Sequence, residues 1–147
     1  MSSARWQGLQ GMDAETPATA LVDGLAAVTL FTEDLPATRA FYAEVLGLPF
    51  VFADDDSTVY RLGGTLINLL RVEAADELVT PAAVAGPDRG ARALFTTHVA
   101  DVDATAAELG RRGVPLLNGP VDRPWGPRTA AFADPAGNVW EIAGPAR

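Results

Sequence analysis

A chain of 147 residues, 48% hydrophobic and 20% charged, has the size and apolar content of one domain with a core of its own. Nineteen Asp and Glu against 11 Lys and Arg leave a net charge of −8, without the basic face that tracking a nucleic-acid backbone requires; the lack of cysteine excludes disulfides and thiolate metal sites. No apolar run approaches the roughly 18–20 residues of a membrane span, and residues 1–23 lack a signal-peptide core, so a cytoplasmic protein without membrane attachment is expected.

Residues 1–24 are small and polar and read as a flexible extension outside the fold. From Leu25 the pattern changes, and residues 25–32 form a strand candidate. Asp34 is placed to cap a helix that tolerates Pro36 in its first turn and carries Phe41, Tyr42, Val45 and Leu46. Gly47 stops that helix and Pro49 blocks its continuation. Strand-like pieces follow at 50–52, 58–62 and 65–72, separated by turns at Asp54-Asp55-Asp56-Ser57 and Gly63-Gly64. Residues 73–92, with Pro81, Gly86, Pro87 and Gly90, read as a linker with a short helix over 74–79.

The second half repeats the order. Residues 93–99 form a strand, Asp101 caps a helix carrying Val102, Ala106 and Leu109 at helical spacing, and Arg111 and Arg112 suit its last turn. Gly113 ends the helix before Pro115. Strands are expected at 114–117, 129–132 and 139–143, with a longer loop at 118–127 and a turn at Asp134-Pro135-Ala136-Gly137-Asn138. Asp34-Leu35 matches Asp101-Val102, and Gly47-Leu48-Pro49 matches Gly113-Val114-Pro115. Agreement of strand, cap, stop and turn in one order reads as an internal duplication: one α+β domain over 25–147, made of two βαβββ modules at 25–72 and 93–143.

The duplicated modules, with "DLPATRAFYAEVLGLPF" in one and "PWGPRTAAFADPAGNVWEIA" in the other, resemble the vicinal-oxygen-chelate superfamily of glyoxalases, extradiol dioxygenases and bleomycin-resistance proteins. The resemblance covers about residues 25–143. It implies curled half-barrel sheets around a cavity, and a homodimer. Metal-dependent members carry a ligand on the first strand of each module, seven residues before the Asp that opens the helix, and a Glu on the last strand. Those positions fall here on Ala27 and Leu94, and on Asn68 and Glu141. A catalytic divalent ion needs about three converging N or O ligands and an open position. Ala27 and Leu94 supply none, so no metal or other cofactor is expected.

Without a metal, the pattern resembles the bleomycin-resistance type, which sequesters a drug without chemistry. "VFADDDSTVYRLGGTLINLL" and "RPWGPRTAAFADPAGN" are similar to its hairpin and its aromatic loop, placing Phe52 and Trp125 at ligand-stacking positions. Ser57 departs from that pattern where a second aromatic is expected. The candidate ligand-binding residues are Phe52, Tyr60, Asn68, His98, Trp125, Arg128 and Glu141. Phe52 reads equally as a packing residue, whereas Trp125, on the Pro-Gly loop Arg123-Pro124-Trp125-Gly126-Pro127, reads more readily as a pocket wall than as core. His98, the only histidine, reads as a rim residue or a ligand contact; Arg128 as a partner of Glu141, of an anionic ligand, or of solvent. Glu141 is either a polar anchor or the candidate catalytic base. Trp140, alternating with Glu141, is expected in the core. The leading expectation is a metal-free protein that binds an apolar or aromatic small molecule, a drug or a metabolite, in the manner of an antibiotic-resistance protein. The alternative is a lyase, isomerase or dioxygenase with an altered or vestigial divalent-metal site.

Overall fold

In a computed structural model of the protein, residues 20–147 are described; most of the expected N-terminal extension lies outside them. The first module runs β1 (Ala27–Thr32), α1 (Leu35–Ala40, continued by a π-helical turn Phe41–Val45), β2 (Phe50–Ala53), β3 (Ser57–Leu62) and β4 (Thr65–Arg71). A 3₁₀ turn (Val72–Ala74), a one-turn helix α2 (Asp76–Val79) and a second 3₁₀ turn (Pro87–Arg89) occupy the linker. The second module runs β5 (Leu94–His98), α3 (Val102–Arg111), β6 (Leu116–Asp122), β7 (Arg128–Ala133) and β8 (Val139–Gly144). The strand orders are β1-β4-β3-β2 and β5-β8-β7-β6, the same topology twice, in two curled four-stranded sheets. The fold is α+β. No helix among the described residues is long and apolar enough to cross a membrane.

The local signals account for the helix ends. The Asp34 carboxylate accepts from the Ala37 amide at 3.1 Å, and that of Asp101 from the Ala104 amide at 3.0 Å. Gly47 (φ 67°) and Gly113 (φ 84°) leave each helix in the left-handed conformation that favours glycine. The expected loop at 118–127 is corrected in part: β6 continues to Asp122, paired to β7 through Asn118↔Ala131 and Val121↔Thr129 with two register shifts. Such irregular pairing breaks the alternation by which a strand is read from sequence.

By contacts the chain divides into two compact units. One holds residues 25–94 together with 133–139; the other holds 95–132 and 140–147 with residues 20–24. In the first unit α1 covers one face of its sheet. Thr32 of β1 and Thr38 of α1 share a buried hydroxyl bond of 2.8 Å, and Arg39 donates its Nε to the Thr58 hydroxyl at 2.7 Å. Leu30, Leu35, Phe41, Ile67 and Leu69 fill the space between. The 133–139 turn is fixed here too: Tyr42, with no exposed surface, donates its hydroxyl to Asp134 Oδ2 at 2.6 Å. In the second unit Val102, Ala106 and Leu109 are buried, as their spacing predicts, and Trp140 is 3% exposed against Phe95.

Candidate functional site

The face of the first sheet turned away from α1 is set by register. Parallel pairing of β1 with β4 puts Thr29 beside Asn68; antiparallel pairing of β3 with β4 puts Val59 beside Asn68; Phe52 of β2 pairs with Val59. Directly paired residues share a face, so Phe52, Val59, Asn68 and Thr29 form one row across four strands. The flanking rows are Ser57, Leu70 and Phe31 on one side, and Arg61, Leu66 and Ala27 on the other.

Phe52 reaches this row because of a bulge. Phe50 pairs with Tyr60 on the helix face and Phe52 with Val59 on the open face, and the register shift between them leaves Val51 as the extra residue. The Phe50 and Tyr60 rings meet edge-on at 6.3 Å, whereas Phe52 is 52% exposed. Asn68 donates Nδ2 to the Thr29 hydroxyl at 3.3 Å, and its Oδ1 is buried with no hydrogen-bond partner.

Tyr60 is corrected: it does not share the face of Phe52 and Asn68. It lies 2% exposed on the helix side, its ring stacked on Tyr42 at 6.4 Å and its hydroxyl donating to the Arg39 carbonyl at 3.1 Å. Burial pushes its phenol above the usual range, against a smaller opposing effect of Arg39. Alternation along β3 assigns it this face once the register is known.

In the second unit the Thr96 hydroxyl donates to Glu141 Oε1 at 3.0 Å. Glu141 is 8% exposed, so the Thr96 hydroxyl offsets part of the cost of burying its carboxyl. Leu94 and His98 alternate with Thr96 on the same side of β5, and both are exposed. The arrangement matches the first module, where a threonine of the opening strand meets the polar residue of the closing strand. Thr29 and Thr96 are the residues that sequence reasoning missed. Their signal is period two: each stands two positions after Ala27 or Leu94 and therefore on the same face.

Arg128 pairs with neither Glu141 nor open solvent. Its Nε and Nη2 donate to Asp103 of α3 at 2.7 and 3.1 Å, and Nη1 to Asp122 at 3.3 Å. The hydrogen bond to Asp103 raises the arginine above its ordinary range and holds the Asp103 carboxyl below its own. Trp125 sits half-buried on the turn between β6 and β7, with the Arg123 guanidinium 5.8 Å from its ring centre. Its Nε1 is buried and without a partner. The three aspartates at 54–56 form a turn: Asp54 Oδ1 accepts from the Asp56 amide and from the Ser57 amide and hydroxyl, which holds its carboxyl low. Among the described residues no three His, Cys, Asp or Glu side chains form a group that could hold a metal ion.

Residues 24–142 match the family model described as Glyoxalase/Bleomycin resistance protein/Dioxygenase superfamily. The chain is 32% identical over 123 residues to YraH, an uncharacterized protein of Bacillus subtilis (strain 168), spanning 80% of this chain and 95% of that one. Its fold is similar to the crystal structure of a glyoxalase/bleomycin resistance protein/dioxygenase from Nocardioides, with a TM-score of 0.77 at 22% identity over 97% of this chain and 91% of that one. It is also similar to TnmS3, an antibiotic binding protein from Streptomyces sp. CB03234, with a TM-score of 0.65 at 26% identity over 86% and 99% of the two chains.

Proposed function

Because the chain belongs to the glyoxalase/bleomycin resistance protein/dioxygenase superfamily, we propose that it is a cytoplasmic, homodimeric, metal-free binding protein that sequesters an apolar or aromatic small molecule, as a drug or a metabolite. One observation carries the reading. Among the described residues, the side-chain atoms Asn68 Oδ1 and Trp125 Nε1 are buried without a partner, and the resemblance of the sequence to the superfamily implies that both residues face the ligand. A buried acceptor or donor left unmet costs about 1–3 kcal/mol, a cost that ligand atoms remove. Exposed Phe52 adds apolar surface beside Asn68. TnmS3, an antibiotic binder of similar fold, supports the class of ligand.

The donor set does not suit a divalent ion. Ala27 and Leu94 offer no ligand atom, Asn68 offers a neutral amide whose nitrogen is turned to Thr29, and Glu141 supplies one carboxylate. The test is a thermal-shift screen of aromatic natural products with and without divalent metals, alongside metal analysis of protein purified without added ions. An aromatic ligand at about 100 Kd should add roughly 2.7 kcal/mol of stability without any metal. Stoichiometric bound metal, or stabilisation by metals alone, overturns the proposal.

A second reading, an enzyme of the same superfamily, is favoured by Glu141. A carboxylate so deeply buried, with Thr96 as its partner, suits a general base as well as an anchor. Loss of turnover with retained binding in Glu141→Gln would support it.

A further inference from the structure

The row Phe52–Val59–Asn68–Thr29 specifies more than an apolar ligand. Phe52 offers an exposed ring at the sheet edge. Asn68, two strands away and thus roughly 10 Å distant between Cα atoms, carries a buried Oδ1 that accepts no hydrogen bond from the protein. Val59 between them is an apolar floor without polar atoms in its side chain. The amide nitrogen is already turned to Thr29, so the group left open is the acceptor. The one charged side chain in these three rows is Arg61, a row away from Asn68 and exposed. A cation would meet its repulsion, and an anion would meet a lone-pair acceptor at Asn68.

We propose that this face selects ligands carrying a neutral hydrogen-bond donor, a hydroxyl or an amide N–H, which is given to Asn68 Oδ1 while the ligand's aromatic part lies over Val59 against Phe52. The proposal rests on the small-molecule reading above and narrows it. Asn68 is the specificity-determining residue, because a site built around a buried acceptor rejects the isostere that lacks the donor. Phe52 supplies affinity without discrimination, because stacking does not depend on the donor.

Matched probes test this directly. The dissociation constants of 2-naphthol, of 2-methoxynaphthalene, whose oxygen cannot donate, and of 2-naphthylmethylammonium are measured by NMR titration. Wild-type protein should bind the naphthol about tenfold more tightly than the ether, and more tightly than the ammonium. In Asn68→Leu the preference for naphthol over the ether should vanish. In Asn68→Asp, which retains acceptor oxygens and adds charge, the naphthol-over-ether preference should persist and the ammonium should gain. Phe52→Ala should weaken naphthol and ether by the same factor. Equal binding of naphthol and ether by wild-type protein, tighter binding of the ammonium, or a preference that survives Asn68→Leu overturns the assignment to Asn68 while leaving small-molecule binding intact. Failure of all three probes to bind overturns both.

Discussion

Arg128 shows how a residue that looks available in sequence is consumed in the fold. Both ends of its guanidinium are taken by Asp103 and Asp122, and the Asp103 bond is bidentate, the strongest geometry an arginine offers a carboxylate. Asp103 is held below the usual carboxylate range first by that hydrogen bond, then by the nearby charges of Arg128 and Arg147. A carboxyl lowered in the folded state stabilises the fold fully above its unfolded value, and the contribution is lost as pH falls through the folded value. A carboxyl-detected NMR titration should therefore find Asp103 titrating below an ordinary aspartate. Arg128→Gln should return it toward the ordinary range and flatten that part of the acid stability profile. An Asp103 titration indifferent to Arg128→Gln would show that the pair does not form in solution.

Elements were legible in the sequence wherever their signal is local. The caps Asp34 and Asp101 and the stops Gly47 and Gly113 act within one turn of chain, and each stands where its residue type requires. What sequence could not carry was set by pairing. Phe50 and Phe52 are two apart and read as one face; only the partner strand reveals that Val51 bulges and turns them to opposite faces. Tyr60 was misplaced for the same reason. The irregular course of β6 was likewise hidden, and it turns on Gly119. With φ at 78°, a Cβ there would stand 2.3 Å from the Thr129 carbonyl oxygen and 2.8 Å from Ala130 Cα. Gly63, at φ 58°, has nothing within 4 Å of the same position. Gly119→Ala should cost about 2–3 kcal/mol from conformation and overlap together, and Gly63→Ala about 1 kcal/mol from conformation alone. Urea midpoints with unchanged slopes measure both. Equal costs would mean that β6 and β7 do not approach so closely.

Over the whole molecule, the duplication appears as one strand order used twice, and the two modules carry different paired polar groups: Thr29 with Asn68 in one, Thr96 with Glu141 in the other. The first pair ends in a carboxamide and the second in a carboxyl group, so the two faces differ in the polar group they offer. Several apolar side chains on edge strands remain exposed, among them Phe50 at 63% in β2 and Leu117 at 58% in β6. Edge strands of this kind are a liability unless another chain covers them. The proposed homodimer predicts a light-scattering mass of twice the 15.4 kDa chain at micromolar concentration, and a single-chain mass would remove it.

The bond between Tyr42 and Asp134 has a consequence for synthesis. The acceptor lies 92 residues downstream of the hydroxyl it satisfies. During translation all residues of the first module's helix and four strands are made before the acceptor of the Tyr42 hydroxyl exists. Asp134 follows 92 residues later, and its side-chain bonds to Ala136 and Asn138 shape the turn locally. The first module's core is therefore completed only by the 133–139 turn of the second, and a nascent chain stalled before residue 134 would present that module to chaperones and proteases with its interior unfinished.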